Sequence, residues 1–240
     1  MSQNDALLIE KGVPVLSKYE KDKLRGKWQS QTWDDMLLSL NSFGKYIMLR
    51  PTGFGKTFTC AAACNIGVHT EKEIDKANKL GVTLSNNDII LNNGKVLGNK
   101  RISNIHKKKV IFVYISEILK QTFNTYVENG LIINGRERVQ YETYASVQLH
   151  WGDKEYLKEN LDIENVGLVI FDEVQRMGAI ETSKALEIAI PYLEELGIYY
   201  IGATATHERA TGYDVCDKYF KHYYLEQINI HTVGENTYIV

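Results

Sequence analysis

The sequence predicts an α/β fold built on a mostly parallel sheet with helices on both faces. Strand-forming apolar runs at 45–49, 110–115, 166–171 and 198–203 predict the sheet. Helical segments near 116–128 and 181–195 lie between them. Strands that alternate with helices pair in parallel and gather their ligand site beyond the carboxyl ends of the strands.

Composition sets the outer limits. With 240 residues, 44% of them hydrophobic and 24% charged, the chain has the makings of one domain with a sizeable core. A formal net charge of -2 argues against a whole-surface grip on nucleic acid and leaves room only for a local basic strip. Cys60, Cys64 and Cys216 form an odd set without paired metal spacing, which fits a reducing, cytoplasmic compartment. Cys60, Cys64 and His69 are either ligands of one metal or, on an alanine-rich helix, inert buried thiols. Residues 1–23 mix charges with short apolar runs and lack a signal-peptide core. No apolar run reaches the roughly 18 residues of a membrane span, so a soluble protein with no membrane partner is expected.

The first amphipathic helix is expected over 30–40, where Trp33, Met36, Leu37 and Leu40 recur at helical spacing. The strand at 45–49 runs into Pro51-Thr52-Gly53-Phe54-Gly55-Lys56-Thr57, and a helix is expected from 58 to 66. Between 68 and 109 the composition shifts to Asn, Lys, Gly and Glu, which reads as an insertion. Residues 89–97, around Asn92-Asn93-Gly94, have the pattern of a small β-hairpin. The basic end of the insertion, Lys100, Arg101 and His106 to Lys109, either touches phosphates or is a solvated face.

Three strand ends carry chemistry. In Gly53-Phe54-Gly55-Lys56-Thr57 the glycines let backbone amides turn toward an anion just where a helix N-terminus favours negative charge. Lys56 neutralises phosphate and the Thr57 hydroxyl ligates magnesium (Mg2+) in such a loop, so ATP is the expected cofactor. Arg50 stands where the widest form of the pattern has glycine. The second strand end is Asp172-Glu173-Val174-Gln175: Asp172 suits magnesium, and Glu173 suits orienting and deprotonating an attacking water. The third carries Thr204 and Thr206, whose hydroxyls should sit beside the acidic pair. The bland alternatives are a glycine turn that merely caps a helix and an exposed Asp-Glu pair that merely follows a strand.

Together these segments resemble motifs I, II and III of superfamily 2 helicases, with Thr204-Ala205-Thr206 followed by Arg209 and Gly212 as in restriction- and repair-type motors. His207 replaces the proline usual there. The resemblance implies a RecA-like P-loop NTPase domain over 24–225, with residues 1–23 as an N-terminal extension and 226–240 as a linker-like segment. It implies that Gln175, Thr204 and Thr206 couple the ATP site to a nucleic-acid face. The stretch 110–121 is similar to motif Ia and 143–146 to motif Ib, which implies nucleic-acid backbone contacts from Ser116, Lys120, Thr143 and Tyr144. Tyr114, Ile115 and Ser116 depart from the usual polar or basic pattern. The segment 24–29 looks like the adenine-reading Q motif, with Gln29 on the base and Trp28 beside it, although one extra residue separates Arg25 from Gln29. A polar helix entry with a core tryptophan is the alternative for that segment. Motors of this family need a second RecA-like domain, in the same longer chain or a partner, and the resemblance ends before one begins. A fragment cut at the linker, or a short protein that borrows the second domain, would both give this. A non-catalytic nucleotide-binding interaction module and a small-molecule kinase are the competing functions.

Overall fold

The computed structural model describes residues 18–50, 53–69, 71–79, 81, 83–84, 88–92, 94–98, 102–205 and 214–220. The chain forms α1 (Lys18–Phe43), β1 (Lys45–Leu49), α2 (Lys56–Ala63), α3 (Glu71–Lys79), β2 (Asp88–Ile90) and β3 (Val96–Gly98). It continues with β4 (Lys109–Tyr114), α4 (Glu117–Glu128), α5 (Gly135–Arg138), β5 (Val139–Thr143), α6 (Tyr144–His150) and α7 (Lys154–Leu161). Then follow β6 (Val166–Asp172), α8 (Ile180–Glu195), β7 (Tyr199–Thr204) and α9 (Val215–Tyr219), with short 3-10 turns at Ile102–Lys107, Ile163–Asn165 and Val174–Gly178.

The main sheet has five strands in the order β1-β7-β6-β4-β5, all neighbours parallel. β6 is buried at every position, as a continuous apolar run must be when helices cover both faces of a strand. At the end of the sheet, β5 is only half-buried along its length. Helices flank the sheet: α2 packs beside α4 and α6 beside α8, while α1 lies along β1. The core between them includes Ile47, Phe112, Phe123, Trp151, Phe171 and Tyr200.

Several expectations change in detail. The first helix runs from Lys18 to Phe43, far beyond 30–40 and across the expected boundary at 23/24. The helix after the glycine loop begins at Lys56, because Gly55 takes the left-handed conformation and serves as its N-cap. β5 was not anticipated; its alternating Val139-Gln140-Tyr141-Glu142-Thr143 is short and half-polar, a weak strand signal. The hairpin in the insertion is present, with β2 antiparallel to β3. The expected linker-like segment 226–240, and all but the last six residues of the expected extension at 1–23, lie outside the described residues.

The end of the sheet opposite the glycine loop is tied by Arg138, which is 8% exposed. Its guanidinium donates to the carbonyls of Lys108 (2.9 Å), Ile133 (2.8 Å), Cys64 (2.8 Å) and Ile105 (2.9 Å). One side chain thereby joins the end of α2, the 3-10 turn at Ile102–Lys107 and the entry to β5. Replacing it removes four bonds to backbone carbonyls at once, two of them buried. Arg138→Met is expected to cost about 3 kcal/mol in urea unfolding, and a loss below about 1 kcal/mol would show that the tie is not structural. Gly67 sits in the same corner with φ +98, and a Cβ there would meet the Ser103 carbonyl oxygen at 1.9 Å. Both backbone conformation and space exclude a side chain, so Gly67→Ala should unfold the protein or destabilise it by about 4 kcal/mol or more.

Candidate functional site

β1, β7 and β6 end side by side, and the expected chemistry collects there. The glycine-loop strand and the acidic-box strand are not neighbours in the sheet. β7 lies between them, with Leu49 opposite Thr204 and Asp172 opposite Ala203. The two strand ends are therefore about two strand spacings, or ~10 Å, apart, a gap that side chains and a polyphosphate can bridge.

Gly53 (φ 86) and Gly55 (φ 80) both occupy the left-handed region, which turns the loop's backbone into the start of α2. Lys56 and Thr57 are the first residues of that helix. The Lys56 ammonium donates to the Arg50 carbonyl at 3.0 Å, folding back over the loop's root. Arg50 itself is buried. Its backbone N–H donates to the Thr204 carbonyl (3.1 Å) and its Nε to the Thr32 hydroxyl (3.1 Å), joining β1, β7 and α1. Gln29 donates from its amide to the Phe54 carbonyl at 3.3 Å. It lies so close to the loop that a Cβ on Gly55 would meet its Nε2 at 2.3 Å. Pro51 and Thr52 lie outside the described residues, as does the side chain of Trp28.

On β6, Asp172 is 3% exposed. Its Oδ1 accepts the Glu173 N–H at 3.0 Å, while its buried Oδ2 has no hydrogen-bond partner among the described residues. Burial pushes its carboxyl up to about 6, with Glu173 adding to the rise; the Glu173 N–H and the Lys56 ammonium oppose it. Lys56, at the head of the helix after β1, and Asp172, at the end of β6, lie at the same end of the parallel sheet. Glu173 takes a left-handed backbone, φ 54, a conformation uncommon for residues other than glycine.

Gln175 joins the box to β7. Its amide nitrogen donates to Glu173 Oε2 at 2.8 Å, and its amide oxygen accepts from the Thr204 hydroxyl at 2.6 Å. Thr204 is thus linked to the acidic pair through Gln175. Thr206 lies outside the described residues, as do His207, Arg209 and Gly212.

Of the residues expected on a nucleic-acid face, Ser116, Lys120 and Thr143 are half-buried and Tyr144 is buried. Ser116 and Thr143 are the N-caps of α4 and α6, accepting from the backbone N–H of Leu119 and Ser146. Tyr144 is buried, and its hydroxyl donates inward to the Asp172 carbonyl at 2.9 Å instead of facing outward. Burial, followed by the charges of Asp172 and Glu173, holds its phenol well above the usual range, so it stays protonated as a donor. Lys120 is paired with Glu117 at 3.5 Å and lies over the rings of Tyr114 and Tyr141. Nothing in the sequence signals the inward turn of Tyr144, since an aromatic after a strand fits either direction.

Cys60 and Cys64 are both buried, with thiols raised by burial, that of Cys64 to about 12, which matches inert packing. No group of three or more His, Cys, Asp and Glu side chains fit to hold a metal occurs among the described residues. A cation at Asp172 would draw one or two protein oxygens and fill its shell from water or phosphate, which is how magnesium is ordinarily held. The unpartnered Asp172 Oδ2 and the Thr57 hydroxyl at the head of α2 fit that demand.

Fold and site together define an α/β domain with an open parallel sheet of the Rossmann-like kind and a polar cluster at its carboxyl edge. No protein-family model matches the chain, and no curated protein matches it. Among the described residues, no helix is long and apolar enough to cross a membrane.

The buried carboxyl makes a testable pH signature. Its folded value lies above that of an unfolded aspartate, so the native chain binds more protons and loses stability as pH rises through about 6. Asp172→Asn removes the charge that burial disfavours. In buffer without metal or nucleotide it is expected to stabilise the protein at pH 7 by on the order of 2 kcal/mol. The gain should vanish below about pH 4. Urea midpoints that differ equally at both pH values would reject the assignment.

Proposed function

We propose that this chain is the ATP-binding motor domain of a superfamily 2 helicase or translocase, a RecA-like P-loop NTPase unit that works with a second RecA-like domain. The observation that carries the reading is the meeting of the glycine loop, Lys56 and the buried Asp172 at one end of the sheet, with Gln175 and Thr204 bonded between the acidic pair and β7.

In this reading the backbone amides of Gly53 to Lys56 bind the phosphates of ATP and Lys56 neutralises their charge. Gln29 reads the adenine edge through its amide. Thr57 and Asp172 hold magnesium, which when bound offsets the charge on the phosphoryl oxygens. Glu173 orients the attacking water and takes its proton, held for that task by Gln175. Because Gln175 also touches Thr204, a change at the acidic pair is felt at the end of β7 and can be passed to a bound strand. Lys120, one helical turn beyond Ser116 and with its side chain 37% exposed, is the best placed of the expected backbone contacts. Efficient turnover awaits an arginine from the second domain, a contribution worth roughly 10³ to 10⁵ in rate.

Titration of the chain with ATP, with and without magnesium, tests this directly. Magnesium-dependent binding is expected, weakened about tenfold or more in Lys56→Ala and in Asp172→Asn. Glu173→Gln should keep binding while cutting residual hydrolysis about a hundredfold. Absence of ATP binding by the folded chain, or hydrolysis indifferent to Glu173→Gln, would refute the proposal. Rapid turnover stimulated by single-stranded nucleic acid in the lone chain would refute the need for a second domain.

A further inference from the structure

The insertion is tied to the site through α1. Its hairpin turn is closed by Leu91 N–H to the Lys95 carbonyl (2.9 Å) and Gly94 N–H to the Leu91 carbonyl (2.9 Å). Ile89, Ile90 and Leu91 are buried, which fixes the turn to the core. From this anchored base Asn92 reaches α1. Its backbone N–H donates to Asp34 Oδ1 at 2.8 Å, and its side-chain amide donates to that oxygen at 3.0 Å and to the Ser30 carbonyl at 2.8 Å. Trp33 and Leu37, on the adjoining stripe of α1, line one small cavity together with Asp88, Ile89 and Ile90 of the hairpin.

Ser30 directly follows Gln29, whose amide touches the phosphate loop. The same turn of α1 carries Thr32, which accepts from Arg50 at the end of β1. This turn is therefore gripped from three sides: by the loop, by the end of β1 and by the hairpin. The first two ties are made by residues within or next to the site. The third is made by the turn of the insertion's hairpin, through Asn92.

We propose that the hairpin is a base-selecting brace: by clamping Ser30 and Asp34, Asn92 holds α1 so that the Gln29 amide meets the purine of a bound nucleoside triphosphate in one register. This rests on the ATP-site reading above. Asn92 and Asp34 are positioning residues, acting through Gln29. An amide distinguishes an adenine edge from a guanine edge only when its donor and its acceptor both reach, and a shift of a fraction of an ångström weakens both bonds. The phosphate grip depends on Gly53 to Thr57, whereas the bonds of Asn92 to Asp34 and Ser30 act on α1. Loosening the brace blurs the choice of base and spares the affinity for phosphate.

The test is competitive titration of the full chain with ATP, GTP and inorganic tripolyphosphate in magnesium buffer. The wild-type chain is expected to prefer ATP over GTP. Asn92→Ala and Asp34→Ala should each shrink that preference about three- to tenfold, with tripolyphosphate affinity unchanged within about twofold. Asp34→Asn keeps an oxygen acceptor and should retain the preference. Asn92 is exposed at the turn, and equal melting temperatures would confirm that its variant is folded. An unchanged ATP-to-GTP ratio in both alanine variants overturns the brace. So does an equal loss of tripolyphosphate binding, or a wild-type chain that binds tripolyphosphate and both nucleotides alike. If the wild-type chain binds none of the three, the ATP-site reading itself has failed.

Discussion

Thr204 is the point through which the three strand ends are held together. Its carbonyl takes the N–H of Arg50, the last residue before the glycine loop, and its hydroxyl binds Gln175, two residues beyond the acidic pair. The residue is fully buried, which limits competition from water at both bonds. Strand order explains why one residue can do this. Because β7 runs between β1 and β6, the end of β7 is the only one of the three flanked on both sides by the others. The loop and the box lie too far apart for direct backbone contact, and their relative position is set by the strand between them.

The extent to which the fold was legible in the sequence depended on how apolar each element is. β6 and β4 are nearly continuous hydrophobic runs in the centre of the sheet, and their limits were read to within a residue or two. β5, half-buried at the sheet's end, carries alternating polar residues and went unread. The short helices α6 and α7 between β5 and β6 have only a few buried positions each, too few for a clear period. α1 was read too short because its early part lacks an apolar stripe; its length is supported by polar ties such as those of Gln29, Thr32 and Asp34.

For the site, residue type revealed which groups matter and strand order decided how they meet. Gly53, Gly55, Lys56, Asp172, Glu173, Gln175 and Thr204 all come to one edge, as their positions after strands implied. The intervening strand was invisible, because spacing along a chain does not reveal which parallel strands are neighbours. Arg50 was conspicuous only as a departure from a glycine pattern, yet its side chain and backbone bind α1 and β7 together. Tyr144 was expected to face outward and is instead spent on the Asp172 carbonyl, where its hydroxyl props up the turn that begins the acidic pair.

The lone oxygen of Asp172 has a chemical corollary. A carboxyl that keeps its hydrogen until about pH 6 cannot take up a cation without first giving that hydrogen away. Below about pH 6 any ion drawn to this corner would have to displace that hydrogen, so mild acidity would work against its entry.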